Sequence, residues 1–144
     1  MSAIRLPSNV VPTSIDDLRA RGDLIPALGG EEHILSGGFA TGISKGPVVR
    51  PSDQRNDFSV ADKPFTVFVT WSPQQRLKGM VALRLHDADN KVLAEGKPVK
   101  KDFRKDELVL MSWTVPVPKT PGIYRADVLF NDKPTWRGFV RITP

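Results

Sequence analysis

The sequence predicts an all-β domain, an antiparallel β-sandwich of about seven strands preceded by an irregular N-terminal arm carrying one short helix. Three observations point there. Thirteen prolines and 11 glycines in 144 residues interrupt the chain too often for long helices. Apolar residues recur with a period of two in several short runs, the period of a half-buried strand. Turn residues separate those runs, most clearly Pro121-Gly122 and the Asn131 to Pro134 segment.

A chain of this length can bury roughly 70% of its unfolded surface around one core without a staple. The expected division is an arm over residues 1–35 and a sandwich over residues 36–144. The arm holds Pro7, Pro12, Pro26 and the Gly29-Gly30 pair and shows no sustained alternation. Ser14 as N-cap, Asp16 and Asp17 in the first turn, Arg19 and Arg21 near the end and Gly22 beyond it predict a helix over 15–21. So short a helix does not hold alone. Ile15 and Leu18, on one face, are therefore expected to dock on the sandwich or on a partner.

The first strand is expected over 39–43, framed by Gly37-Gly38 and Gly42, with Pro47 to Pro51 leading into a loop. Phe65, Val67, Val69 and Trp71 alternate with Thr66, Phe68 and Thr70, a strand apolar on both sides and so central; Pro73 closes it. Val81, Leu83 and Leu85 begin a hairpin that turns at Asp87-Ala88-Asp89-Asn90 and returns over 91–95. Leu108 to Val115 is the next strand, set off by Pro116, Pro118 and Pro121. Tyr124, Ala126, Val128 and Phe130 then alternate with Arg125 and Asp127, and a tight loop returns the chain into a last strand over 135–142.

The absence of cysteine removes disulfides, thiolate metal sites and cysteine nucleophiles. Asp87-Ala88-Asp89-Asn90 imitates the start of a calcium loop, but Val92 and Pro98 stand where the glycine and the bidentate acid belong. Glu31, Glu32 and His33 are adjacent, and neighbours in extended backbone point apart. No hydrolase elbow, Walker loop or dinucleotide fingerprint occurs. No catalytic residue, cofactor or metal is assigned. No apolar run approaches a membrane span, and Met1 to Val11 has no secretory character, so a cytoplasmic setting is favoured over export.

Recognition is the class that remains. Lys97, Lys100, Lys101, Arg104 and Lys105 form the densest basic run, diluted by Asp102, Asp106 and Glu107. It reads as a solvated loop between strands, and without a stacking platform or groove helix nucleic acid is disfavoured as a partner. Trp71 and Trp113 share the parity of core residues and are expected to be buried. Trp136, beside the hairpin loop, is the tryptophan chosen for a recognition edge. The candidate binding residues are thus Asp132, Lys133, Trp136 and Arg137, with Lys100 and Lys101.

The Pro121-Gly122-Ile123-Tyr124 corner, the Arg125 to Phe130 strand and the closing Gly138 to Ile142 strand resemble the final hairpin of bacterial immunoglobulin-like and fibronectin-III-like β-sandwiches, over residues 36–144. Tyr124 stands where such domains place a tyrosine before their penultimate strand, while the paired cysteines of antibody domains are absent. The resemblance implies a non-catalytic module that binds or assembles with another protein or with itself. A carbohydrate- or ligand-binding sandwich is the alternative, and an enzyme-associated domain using Glu31, Glu32 and His33 the third.

Overall fold

The computed structural model describes residues 33–44, 49–87 and 91–144. They form ten strands, β1 (Ile34–Ser44), β2 (Arg50–Gln54), β3 (Asp57–Ser59), β4 (Phe65–Trp71), β5 (Leu77–His86), β6 (Val92–Glu95), β7 (Val99–Phe103), β8 (Val109–Val115), β9 (Gly122–Phe130) and β10 (Lys133–Thr143). One sheet has the order β2-β1-β4-β8. The other runs β3-β10-β9-β5-β6, with β7 pairing the first half of β5 beside β6. The expected helix over 15–21 lies outside the described residues, as do Glu31, Glu32 and Ala88 to Asn90.

The sandwich core follows from alternation. Phe65, Val67, Val69 and Trp71 from β4 meet Val81, Leu83 and Leu85 from β5 and Tyr124, Ala126 and Val128 from β9, all buried. Trp71 stacks on Phe103 with centroids 4.8 Å apart, and Phe58 on Phe65 at 5.1 Å. β4 is central in its sheet, as its two apolar faces require. At the other end of the core the Tyr124 hydroxyl donates to the Thr120 carbonyl and ties β9 back to the Pro116–Pro121 segment.

Three strands exceed the expected seven. β2 and β3 fall in what reads as loop, and β7 in what reads as a solvated basic loop. All three are short, polar edge strands. Val99, Lys101 and Phe103 of β7 do alternate, but only Phe103 reaches the core. Edge position explains the rest, because an edge strand buries few side chains and carries charge to discourage further pairing. β1 is also longer than expected, beginning at Ile34. Trp113, expected to be buried, is half-buried because β8 ends its sheet; its indole covers Gly96, just after β6.

Candidate functional site

The β9–β10 hairpin turns through Asn131 and Asp132, both at positive φ (50° and 67°), the primed geometry of a two-residue turn. The Asn131 side chain accepts from the Met80 amide at 2.9 Å and its own amide donates to the Met80 carbonyl at 2.8 Å, stapling the tip to β5. Lys133 pairs Phe130, but a bulge at Thr135 then shifts the register by one, so Trp136 lies opposite Val128 and Arg137 opposite Asp127. The bulge exchanges their faces. Trp136 turns inward, packing on Phe39 (centroids 6.0 Å apart) and over Gly37 and Gly138, while Arg137 turns outward.

The tip and the tryptophan are therefore not one surface. Asp132 and Lys133 are exposed at the turn, and Trp136 is half-buried in packing. Lys100 pairs Met80 and Lys101 pairs Gly79, so these adjacent lysines point to opposite sides of β7. The Trp136 slot depends on glycine: a Cβ on Gly138 would collide with the indole and approach Phe39 Cε2 to 3.0 Å. Gly138→Ala is expected to cost about 1–3 kcal/mol, lowering the melting temperature by a few degrees in calorimetry.

Two surfaces stand out from the geometry. The first is the outer face of the six-stranded sheet. There Asp127 accepts two bonds from Arg137, Nε to Oδ1 at 2.9 Å and Nη2 to Oδ2 at 3.3 Å, and Arg125 Nε lies 3.3 Å from Oδ1. Arg84 pairs Glu95 at 3.3 Å on the same face. Ile123 and Leu129 alternate with these charges along β9. A shallow depression of about 200 Å³ between Asn56, Asp57, Ile123, Phe139 and Arg141 lies at its β3 end.

His86, opposite Arg125 in β5, belongs to this face. Burial first, and the Arg125 charge second, hold its pKa below the ordinary histidine value. The folded state thus keeps it neutral while the unfolded chain protonates it near pH 6.5. Stability is complete above that pH and falls as pH drops toward the folded value, where the loss levels off. Melting curves between pH 8 and pH 5 should show this decline, and His86→Gln should flatten it.

The second surface is the β8 edge. β8 pairs β4 through seven consecutive residues, Phe65↔Val115 to Trp71↔Val109, with no bulge. Among the described residues nothing pairs its other side. Ser112 and Thr114 are exposed, and Leu108, just before the strand, is 67% exposed. β1, β4 and β8 contain no charged residue. Among the described residues the other open stretches are guarded: β2 by Arg50, Pro51 and Asp53 at positive φ, β3 by its three-residue length, β6 by a bulge against β5, β7 by two lysines and an aspartate, the Ile34–Phe39 half of β1 that β2 does not reach by the bulge at Leu35, and the Lys133–Val140 part of β10 that β3 does not reach by Lys133, Pro134, Arg137 and the bulge at Thr135. Sequence reasoning assigned β8 to the scaffold and missed this, although its lack of Pro, Lys, Asp and Glu was the available signal.

An open depression of about 430 Å³ at the sandwich end is lined by Thr41, Arg55, Phe58, Ala61, Asp62, Lys63 and Pro64. Arg55 there pairs Asp53 and stands over the Phe58 ring, a structural use of the charge. Among the described residues no three His, Asp or Glu side chains gather as a metal site, and no helix is long and apolar enough to cross a membrane.

Two facing sheets, the parallel β3–β10 pair, a β10-β9-β5 sheet core and the tyrosine-anchored corner before β9 define an immunoglobulin-like β-sandwich. No family model and no curated protein matches the sequence. Among solved structures it is similar to an immunoglobulin-like protein from Pseudomonas aeruginosa, at TM-score 0.45 and 12% identity, covering 78% of this chain and 98% of that one. It is also similar to the alkylpurine DNA glycosylase AlkC of Pseudomonas fluorescens (TM-score 0.49, 13% identity, 89% of this chain) and to a β-glucosidase of Listeria innocua (0.48, 12%, 75%). The chain spans 36% of the glycosylase and 16% of the glucosidase.

Proposed function

We propose that this chain is a non-catalytic binding or assembly module that takes an extended segment of another polypeptide along β8. One observation carries the reading: β8 is an unguarded edge, seven residues long, in register throughout and free of charge and proline. Such an edge presents a row of backbone donors and acceptors that will pair with any suitable strand. Natural sheets blunt their edges or use them, and among the described residues the other edges carry charge, proline, a bulge or very short length. In strand addition the backbone bonds supply affinity and alternate side chains supply selectivity. Leu110, Ser112 and Thr114, which follow one another on the outer side of β8, are the positions that would read the added strand.

Ser112→Lys places a charge on the outer face of β8, beside the side chains an incoming strand would set there, and leaves the core untouched, since the Ser112 side chain is exposed. Proteins captured from lysate by the unaltered chain should be retained about tenfold more weakly by the variant, a loss of about 1.4 kcal/mol. Ser52→Lys, on the guarded β2 edge, should retain them fully. Equal capture by Ser112→Lys and the unaltered chain would overturn the reading.

A further inference from the structure

Beyond β8 the sandwich has a floor as well as an edge. A strand added there continues the four-stranded sheet, so its alternate side chains point toward the six-stranded sheet in the phase of Val109, Met111, Trp113 and Val115. They meet the border formed by β6 and β7. Phe103 of β7 stacks on Trp71, the partner of Val109, and Gly96, just after β6, lies against the Trp113 indole. β7 thus passes below the free edge between the levels of Val109 and Trp113.

Three residues of β7 share the phase of the inward residues they pair, Val99 with Val81, Lys101 with Gly79 and Phe103 with Leu77. Phe103 is buried, Val99 is 41% exposed and Lys101 stands between them. Lys101 is therefore a cation in the inward phase of a strand. Lys100 and Asp102 belong to the other face, where Asp102 pairs Arg76 at 2.8 Å. Glu95 is engaged by Arg84 at 3.3 Å, and the Glu107 carboxylate accepts from the Arg104 amide at 3.0 Å. Among the described residues Lys101 has no ion-pair partner. An inward charge guards β7 against further pairing, and a strand laid on β8 covers that same charge.

We propose, resting on the β8 reading above, that β8 receives an extended segment of another polypeptide whose inward side chains are apolar except for one carboxylate, seated on Lys101. The added strand strips water from the ammonium. An uncharged inward side chain would leave it without compensation, whereas an acid restores a partner. Val99 and the half-buried Trp113 meet the apolar side chains to either side, and the level of Lys101 sets the acid opposite Val109 or Met111. Lys97, exposed just after Gly96, favours the same sign of partner. A second copy of this chain does not supply the acid, because β8 carries no charged residue in any register, and a net charge of +5 opposes self-association.

Selection of short random peptides, displayed on phage, against the full immobilised chain tests this. Peptides whose retention is lost on Ser112→Lys should share Asp or Glu at one position, with apolar residues two places to either side. A synthetic copy should bind Lys101→Glu about tenfold more weakly than the unaltered chain. Selection on Lys101→Glu should exchange the acid for Lys or Arg, Lys101→Gln should remove the preference, and Lys100→Glu, on the other face of β7, should leave it as it is. Ser112-dependent peptides with no shared acid, or with equal affinity for Lys101→Glu, would overturn this assignment and leave the β8 reading standing. Failure to select any Ser112-dependent peptide would overturn both.

Discussion

Asp127→Ala is expected to lower stability by about 3–5 kcal/mol, near the upper end for a single substitution, and the melting temperature by about 10 °C. The reason is electrostatic and local. The Asp127 carboxylate is almost fully buried and is shared by Arg137, bonded through two of its nitrogens, and Arg125. Removing it leaves two cationic side chains, each more than four-fifths buried, without the anion between them. The alanine itself fits, because small residues are at home in a strand interior beside Ala126; the cost is charge, not shape. A double-mutant cycle with Arg137→Ala checks this account. If the charge reading is right, Asp127→Ala should cost markedly less when Arg137 is already absent. Additive losses would mean that the carboxylate contributes by packing alone.

Trp71→Ala should be comparably damaging, at about 3–5 kcal/mol. Its indole lies wholly within the core, stacks on Phe103 at 4.8 Å and meets Phe130 at 6.0 Å. It thus joins β4 of one sheet to β7 and β9 of the other, and its loss opens a cavity that no neighbouring backbone can close. Trp71→Phe separates two components of that energy. Among the described residues the buried Nε1 of Trp71 has no hydrogen-bond partner, and an unmade bond of this kind costs about 1–3 kcal/mol. Phenylalanine keeps the stacking ring and removes the orphaned donor, so it should cost much less than alanine in denaturant titrations.

β4 was legible in the sequence because its core position writes apolar residues on both faces, and β9 because Tyr124, Ala126 and Val128 alternate with Arg125 and Asp127, although Leu129 breaks the pattern. The tyrosine corner follows from the Pro121-Gly122 turn and the tyrosine after it, and its bond to Thr120 is the physical content of the resemblance. β2, β3 and β7 were not legible. A strand of three to five residues at a sheet edge needs one buried side chain at most, and Phe58 and Phe103 alone do not make a period.

The outer-face charges were hidden for a different reason. Arg125 and Asp127 occupy the polar phase of an alternating strand and so read as solvent-facing. Only the register reveals their partner. A two-residue turn without interruption would set Asp127 against Trp136; the bulge at Thr135 sets it against Arg137 instead. One extra residue thus decides that Trp136 packs inward and Arg137 completes an ion cluster. The β8 edge was missed because its signal is an absence of guarding residues in a strand whose other features belong to the core.

Backbone hydrogen exchange, measured residue by residue on the full chain alone and bound to the protein it captures, tests the β8 assignment most directly. Strand addition predicts that amides of Val109–Val115 facing away from β4 become protected, and that Ser112→Lys abolishes the change. Exchange along β8 that stays unaltered while protection rises on another edge or on the sandwich-end loops would contradict it.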